Sequence, residues 1–320
     1  MRFRRELIWL IAGLASAIVL GAVGAECLRF YISNNGNSPT EQHQSGYRHI
    51  SPLLGCADFR GGAVLSSLQE KIEAVIKSKK ASGDISHASI YIRDLNNGPW
   101  LGINENEMFT PASLLKVPLM IAYLKEAETD PSIFDKEIMV KGDATLLSQN
   151  IMPQRSVETG KTYRLEDLLQ YMIIYSDNLA ANTLLENIET DKLNKVYKDL
   201  GLTEPSVEKT ENFMMVRDYA SFFRILYNAS YLNREMSEKA LDILTKSQFS
   251  LGLTAGVPSQ VDVAHKFGER VLFDAKQLHD CGIVYKPGRP YLICVMTRGK
   301  DFTKMSTFIK DISAAAYQGL

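Results

Sequence analysis

The chain has 320 residues, of which 45% are hydrophobic and 23% charged, and its net charge at pH 7 is −1. This length allows one or two domains with a large core, and the balanced charge argues against nucleic-acid binding. The 4 cysteines and 5 histidines form no C-x-x-C, H-x-x-x-H or H-E-x-x-H pattern, so we expect neither a metal site nor a cofactor.

The N-terminal 60 residues combine an apolar run with a polar stretch. Arginines near the start precede an uncharged apolar run over 7–25, which is long enough to span a bilayer. We expect an uncleaved signal anchor over 1–25 that leaves the bulk of the chain on the extracytoplasmic face of a bacterial membrane. If the segment is instead cleaved as a signal peptide, the protein is secreted. Residues 26–60 are expected to form a flexible tether because their centre is rich in small and polar residues.

The remaining residues, 61–320, predict an α+β domain. A helical stripe over 65–76 precedes two strands, over 88–94 and 100–103, which are joined by an Asn-Asn-Gly turn. A mainly helical subdomain is predicted over about 108–258, with helices over 164–175, 179–188, 193–200, 216–227 and 237–246. Strands over 261–267, 281–285 and 291–297 precede a final amphipathic helix over 305–316. This order predicts one antiparallel sheet built from both ends of the domain, flanked by helices, with the helical subdomain inserted.

The stretch TPASLLKVPLMIAYL, over 110–124, predicts a buried helix. Thr110 suits its N-cap and Pro111 its first position. Ser113 and Lys116 are three residues apart and share a face, so a hydroxyl and an amine meet where free backbone N–H groups point outward. This arrangement is typical of an activated nucleophile. The alternative is a helix-start serine and a lysine that reaches the surface. A second S-x-x-K, at 206–209, lies in a polar stretch.

Two further motifs follow. Ser176-Asp177-Asn178 can project a hydroxyl and an amide into one cleft, although such residues also favour a helix N-cap. Lys266-Phe267-Gly268 ends a predicted strand, where the alternative is an edge lysine and a bulge glycine.

In this order, the three motifs resemble the S-x-x-K, S-D-N and K-T-G set of class A serine β-lactamases and penicillin-binding proteins. The resemblance covers roughly 62–320, and YSDNLAANTLLE and TPASLLKVP are its most specific parts. It implies a β-lactamase/transpeptidase-like fold with a five-stranded sheet. It implies that Ser113 is the acylated nucleophile, Lys116 its base or proton relay, and Ser176 the group that passes a proton to the leaving nitrogen. Asn178 would hold the substrate amide and Lys116, and Asp177 would tie down the loop.

The resemblance also assigns roles to the third motif. Lys266 would supply positive charge near Ser176 and the substrate carboxylate, and Gly268 would let the strand approach the substrate. The backbone N–H groups of Ser113 and Glu269 would form the oxyanion hole. Phe267 stands where the family has a hydroxyl residue that helps to bind the substrate carboxylate, and Glu269 adds negative charge beside it. Both residues argue against efficient binding of ordinary penicillins.

The largest departure from the family concerns deacylation. Class A enzymes carry an Ω-shaped loop whose glutamate activates water, whereas here the stretch after Gly201 is short. The segment 208–212 keeps the E-x-x-x-N spacing, with Glu211 in place of leucine, so Glu208 is the candidate base. The simpler interpretation is a solvated charged loop.

The sequence therefore predicts a membrane-tethered serine hydrolase that is acylated by β-lactam amides and hydrolyses them, with slow hydrolysis as one outcome. Two alternatives use the same fold: a D-Ala-D-Ala peptidase or transpeptidase, and a catalytically weak wall-binding scaffold. The expected partners are a β-lactam or a cell-wall peptide, and we expect a monomer. The four cysteines leave the disulfide pairing open.

Overall fold

The computed structural model describes residues 42–55, 64–96, 98–142, 149–205, 211–273 and 275–320. The expected anchor over 1–25 lies outside these ranges, as do Glu208 and the second S-x-x-K motif. Within the described ranges, no helix has both the length and the apolar character needed to cross a membrane.

Strands and helices of the described residues are numbered in chain order. The strands are β1 Gln42–His43, β2 Leu53–Gly55, β3 His87–Asp94, β4 Trp100–Ile103, β5 Met108–Phe109, β6 Glu137–Met139, β7 Thr162–Arg164, β8 Met214–Met215, β9 Val263–Leu272, β10 Ala275–Val284 and β11 Tyr291–Gly299. The α-helices are α1 Val64–Ala81, α2 Lys116–Ala127, α3 Leu165–Ile174, α4 Asn178–Asn187, α5 Thr190–Asp199, α6 Val216–Tyr227, α7 Arg234–Thr245 and α8 Phe302–Gly319.

A five-stranded antiparallel sheet, in the order β4-β3-β11-β10-β9, confirms the predicted sheet built from both ends of the domain. Both faces are buried, and successive side chains of a strand point to opposite faces. In β11, Leu292 and Cys294 pack in the cluster of the helical subdomain, whereas Ile293 and Val295 pack with α1 and α8. The sheet is therefore the layer between two cores, and its edge strand β9 borders the helical subdomain.

The last three strands are longer than predicted. Strand β10 begins at Ala275 rather than 281, because its first half carries polar residues that the alternation rule reads as loop. Gln277, His279 and Asp280 are all buried there, and each has a hydrogen-bond partner from outside the strand. Buried polar groups are tolerated when they are paired in this way.

A disulfide joins Cys281 of β10 to Cys294 of β11, and these two residues are also directly opposite each other in the sheet register. This is the pairing that the cysteine spacing left open. The bond links β10, the neighbour of the edge strand β9, to β11, and so it fixes the sheet beside Lys266, which is paired with Cys281 on the other side.

The segment 42–55 packs on the domain, although the composition predicted a flexible tether through residue 60. His49 and Ile50 are buried, and their backbone N–H groups donate to the Glu238 carboxylate of α7 at 3.0 Å. The Tyr285 hydroxyl donates to the His49 carbonyl at 2.9 Å. A tether therefore cannot extend over these residues, and a domain boundary near 60 would remove a packed segment. Composition alone predicted a tether here because it does not show that a few buried residues are enough to hold a polar segment against the domain.

Candidate active site

Ser113 lies in a 3₁₀ turn, Ala112–Leu115, which precedes α2. The predicted N-cap is wrong: no side chain caps this turn, and the Thr110 hydroxyl instead accepts a hydrogen bond from the Asn212 N–H at 2.9 Å. Ala112 has φ of 51°, a left-handed conformation that a residue with a Cβ rarely adopts. The surrounding structure must hold this conformation, and it thereby fixes the position of Ser113.

The sheet fixes the chain just before this turn. The Thr110 N–H donates to the Gln277 side-chain oxygen at 3.0 Å, and His279 Nε2 donates to the Thr110 carbonyl at 3.0 Å. His279 Nδ1 accepts from the Thr297 N–H at 3.2 Å, which assigns the proton to Nε2. Burial lowers the pKa of His279 to about 4, so the ring is neutral at pH 7. His279 is therefore a structural donor, and no motif in the sequence pointed to it.

Gly268 allows β9 to approach the Ser113 turn. A Cβ at this position would lie 2.6 Å from the Pro111 carbonyl oxygen and 3.1 Å from the Leu114 nitrogen. Contacts this close to backbone cannot be relieved by a rotamer change. Gly268 was expected to let β9 approach the substrate, and the structure shows that it lets β9 approach the turn that contains Ser113, the predicted nucleophile. The register between β9 and β10 is continuous here, so Gly268 does not mark a bulge.

The Lys116 amine is buried and does not reach the surface. It donates to the Ser176 carbonyl at 2.6 Å and to the Asn178 side-chain oxygen at 2.7 Å, and it lies 3.3 Å from the Ser176 hydroxyl. Burial lowers the pKa of Lys116 to about 7, although the Asp177 and Glu269 carboxylates oppose the shift. Two carbonyl acceptors use two N–H groups, so a neutral amine keeps its lone pair free to accept a proton.

Ser176 is fully buried and has a positive φ of 58°. Its carbonyl accepts from Lys116 and also from the Gln149 side-chain amide at 3.1 Å, and these bonds hold the unusual backbone. Asp177 caps α4 by accepting from the Leu179 N–H at 2.9 Å, and it also accepts from the Val157 N–H at 2.7 Å. Burial raises the pKa of Asp177. The N-cap alternative therefore describes Asp177, while the neighbouring Ser176 and Asn178 both contact Lys116.

Lys266 brings a second amine to Ser176. It lies in the middle of β9 and is fully buried; its amine donates to the Ser176 hydroxyl at 2.9 Å and to the Phe267 carbonyl at 2.9 Å. Burial, reinforced by the neighbouring Lys116 amine, holds the pKa of Lys266 well below its usual value. The Ser176 hydroxyl therefore lies between two amines whose proton affinity is reduced, which is an arrangement suited to proton transfer.

The Phe267 side chain does not line an open site as expected. It is buried, stacks on Phe249 with ring centroids 4.2 Å apart, and covers the Lys266 amine, which lies 4.2 Å from the Phe267 ring centre. Phe267 therefore contributes to the core beside Lys266 and offers a substrate no hydrogen-bonding group from its side chain.

The Glu269 carboxylate connects β9 to the opposite side of the site. It accepts from the Asn150 backbone N–H at 2.5 Å, the Asn150 side-chain amide at 2.9 Å and the Ile151 N–H at 3.2 Å. The adjacent Gln149 is the residue that bonds to the Ser176 carbonyl. Residues 149–151 thus link Ser176 to Glu269. No pattern in the sequence indicated this link, because these residues lie in a polar stretch without periodicity.

The half-buried Ser113 hydroxyl has no hydrogen bond to Lys116 among the contacts of the described residues. Such bonds often form only when substrate is bound. The roles of Ser113 and of the Glu269 backbone N–H stay predictions.

Asn212, which ends the E-x-x-x-N segment, is engaged by the sheet. Its side-chain oxygen accepts from Gln277 at 3.0 Å and from Arg298 at 3.2 Å, while its backbone N–H bonds to Thr110. These contacts leave the side chain little freedom to orient a water. Glu208 lies outside the described residues, so its role as base also stays a prediction.

Comparison with known proteins agrees with this geometry. The family model described as the beta-lactamase enzyme family matches residues 67–320. Beta-lactamase VEB-1 of Pseudomonas aeruginosa is 25% identical over 245 residues, which cover 70% of this chain and 80% of that protein. The extended-spectrum beta-lactamase PER-1 of the same organism is 25% identical over 291 residues, which cover 83% and 91%.

Solved structures show the same fold. A beta-lactamase from Sphaerobacter thermophilus is 25% identical with a TM-score of 0.66, covering 78% of this chain and 96% of that one. PBP-A is 21% identical with a TM-score of 0.67, covering 82% and 98%. Because the family match extends from the first helix to the C-terminus and includes all three motifs, this chain belongs to the beta-lactamase enzyme family of serine hydrolases.

Proposed function

We propose that this protein is a serine acyl-transfer enzyme of the class A β-lactamase type, in which β-lactam amides acylate Ser113 and the resulting ester is hydrolysed slowly. One observation carries the proposal: Lys116 and Lys266, both buried and both with a lowered pKa, contact the same Ser176 hydroxyl. Burying two amines beside one hydroxyl costs stability, and groups with shifted pKa values that cluster in this way are typical of sites that transfer protons.

The acylation steps follow from this network. Neutral Lys116 removes the proton of the Ser113 hydroxyl, and the oxygen attacks the lactam carbonyl carbon. The backbone N–H groups of Ser113 and Glu269 are proposed to stabilise the oxyanion. As the carbon–nitrogen bond breaks, Ser176 gives its proton to the lactam nitrogen and recovers one from protonated Lys116. The products are an ester on Ser113 and an amine that remains attached to the opened ring.

Slow hydrolysis is supported by the surroundings of Asn212. Hydrolysis of the ester needs a base that activates water, and general-base help contributes about 10²–10⁴ in rate. The Asn212 side-chain oxygen already accepts hydrogen bonds from Gln277 and Arg298 of the sheet. Without a water held on that side of the ester, acylation outruns deacylation.

The same observation favours a second candidate, a D-Ala-D-Ala peptidase or transpeptidase that uses the same motifs on cell-wall peptides. A mutant of the structurally similar PBP-A has been solved as an acyl-enzyme complex with penicillin G. In such an enzyme the β-lactam is an inhibitor and the peptide is the substrate. Product analysis with a D-Ala-D-Ala peptide separates the two candidates, because only the peptidase releases D-alanine.

We further propose an extracytoplasmic location, with residues 1–25 as the membrane anchor. The basic start and the length of the apolar run support this location. Protease treatment of intact cells tests it, since the domain should be accessible from outside and should stay with the membrane fraction.

Covalent labelling tests the proposed function. The full chain is incubated with penicillin G, and its intact mass and the mass of its Ser113 peptide are measured. An added mass of one penicillin on the Ser113 peptide is the expected result. If no β-lactam adds mass and none is consumed, the proposal is wrong.

A further inference from the structure

The Glu269 carboxylate faces the site with a fixed orientation. Two backbone N–H groups and one side-chain amide, all from Asn150 and Ile151, donate to its two oxygens. Only acceptors are needed to satisfy these donors, and an ionised carboxylate supplies them. The Glu269 charge also raises the pKa of Lys116, which shows that the charge acts inside the site.

The position of the leaving group places a substrate substituent near this carboxylate. Ser176 serves the lactam nitrogen in the proposed mechanism, and Gln149 bonds to Ser176 while its neighbour Asn150 bonds to Glu269. The Glu269 charge also acts on Lys116, whose amine lies 3.3 Å from the Ser176 hydroxyl, so a ligand that contacts Ser176 lies within range of that charge. In a penicillin, the carboxylate is attached one carbon from the lactam nitrogen and would therefore approach Glu269.

The positive charge that could offset Glu269 is not presented to a ligand. The Lys266 amine is fully buried, bonded to Ser176 and the Phe267 carbonyl, and covered by the Phe267 ring. The N–H groups of Asn150 and Ile151, which could otherwise receive an anion, are bonded to Glu269. The groups around the leaving nitrogen therefore present negative charge.

From this arrangement we infer that Glu269 makes the site select acyl donors that are uncharged or cationic beside the leaving nitrogen, and reject those that carry a carboxylate there. The inference rests on the proposed acylation of Ser113. It names the substrate class as neutral or cationic amides.

A pair of ligands that differ only in this charge tests the inference. The second-order acylation rate constant is measured by intact mass for penicillin G and for its methyl ester, with the unaltered protein and with Glu269→Gln. The unaltered protein should favour the ester. Glu269→Gln should raise the ratio of the acid rate constant to the ester rate constant about tenfold, equivalent to about 1.4 kcal/mol. Glu189→Gln, the same charge change at an exposed position just before α5, should alter neither rate.

Salt dependence repeats the test without a substitution. Raising the ionic strength from about 0.01 M to 1 M shortens the screening length from about 30 Å to 3 Å. The acid rate constant of the unaltered protein should then rise, while the ester rate constant should not. If both ligands add mass but the acid is preferred, or both respond equally to Glu269→Gln and to salt, this inference alone is wrong. If neither ligand acylates any form of the protein, the proposed function and this inference both fail.

Discussion

The two sides of Ser113 are built differently. On the side of Ser176, the buried Lys116 and Lys266 amines make hydrogen bonds of 2.6–3.3 Å to Ser176 and Asn178, so these four motif residues form one network. On the side of Asn212, the side chain that the family spacing would assign to a hydrolytic water bonds to Gln277 and Arg298 of the sheet.

In the proposed mechanism, this difference places acylation and deacylation on separate parts of the fold. The acylating side is set by the sheet, α2 and the turn before α4, which pack in the two cores. The deacylating side depends on the connection after Gly201, which can shorten without disturbing those cores. A chain can therefore keep the first half-reaction and weaken the second.

The largest effect is expected from removing the nucleophile. Ser113→Ala should abolish the covalent adduct, because among the described residues only Ser113 lies three residues before a buried lysine. Intact mass after incubation with a β-lactam measures the effect. Ser206→Ala removes the serine of the second S-x-x-K and is the matched control. Labelling that persists in Ser113→Ala and disappears in Ser206→Ala would reverse the assignment.

Lys116→Ala should lower the acylation rate constant by about 10²–10⁴, because the general base is lost. The pH dependence of the unaltered protein sharpens this expectation. The active amine is the neutral one, so acylation should fall about tenfold per pH unit below the Lys116 pKa of about 7 and level off above it. A rate that stays flat from pH 5 to 9 would argue against Lys116 as the base.

Gly268→Ala should disturb the acylating side without touching its reactive groups. Its Cβ would meet the backbone of the Ser113 turn, so we expect a loss of about 1–3 kcal/mol in the free energy of unfolding and slower acylation. Denaturant titration measures the stability. Gly319→Ala is the control, since its Cβ would meet only the flexible Leu68 side chain. An equal loss of stability in both variants would contradict the view that Gly268 is needed for the close approach of β9 to the Ser113 turn.

The smallest effect is expected on the other side. Asn212→Ala removes acceptors for Gln277 and Arg298, which should cost about 1–3 kcal/mol of stability. The lifetime of the Ser113 adduct should not change, because the Asn212 side chain is hydrogen-bonded to the sheet and does not position a hydrolytic water. A lifetime several times longer in this variant would place Asn212 in the hydrolytic step and weaken the contrast between the two sides.

The sequence predicted the antiparallel sheet built from both ends of the domain, and it singled out the motif residues that surround Ser176, because both depend on strong local patterns. The stripe in α8 and the three motifs are visible in single stretches of sequence. The contacts that it missed are made by polar residues far apart in the chain, such as Asn150 with Glu269 and Gln277 with Thr110. Alternation rules treat such residues as exposed, although partners found only in the fold allow them to be buried. Phe267 was misjudged for the related reason that motif position does not reveal its stacking partner Phe249.

The lifetime of the Ser113 adduct is the most direct measure of whether acylation outruns deacylation. The full chain is acylated with the β-lactam that reacts fastest, excess ligand is removed, and intact mass is followed over time, in parallel with Glu208→Gln. The adduct should persist for minutes or longer and should decay at the same rate in both proteins, because we expect Glu208 to be a solvated loop residue that does not activate water. Rapid multiple turnover with no detectable adduct, or a lifetime lengthened about a hundredfold by Glu208→Gln, would contradict slow deacylation and indicate an efficient hydrolytic base.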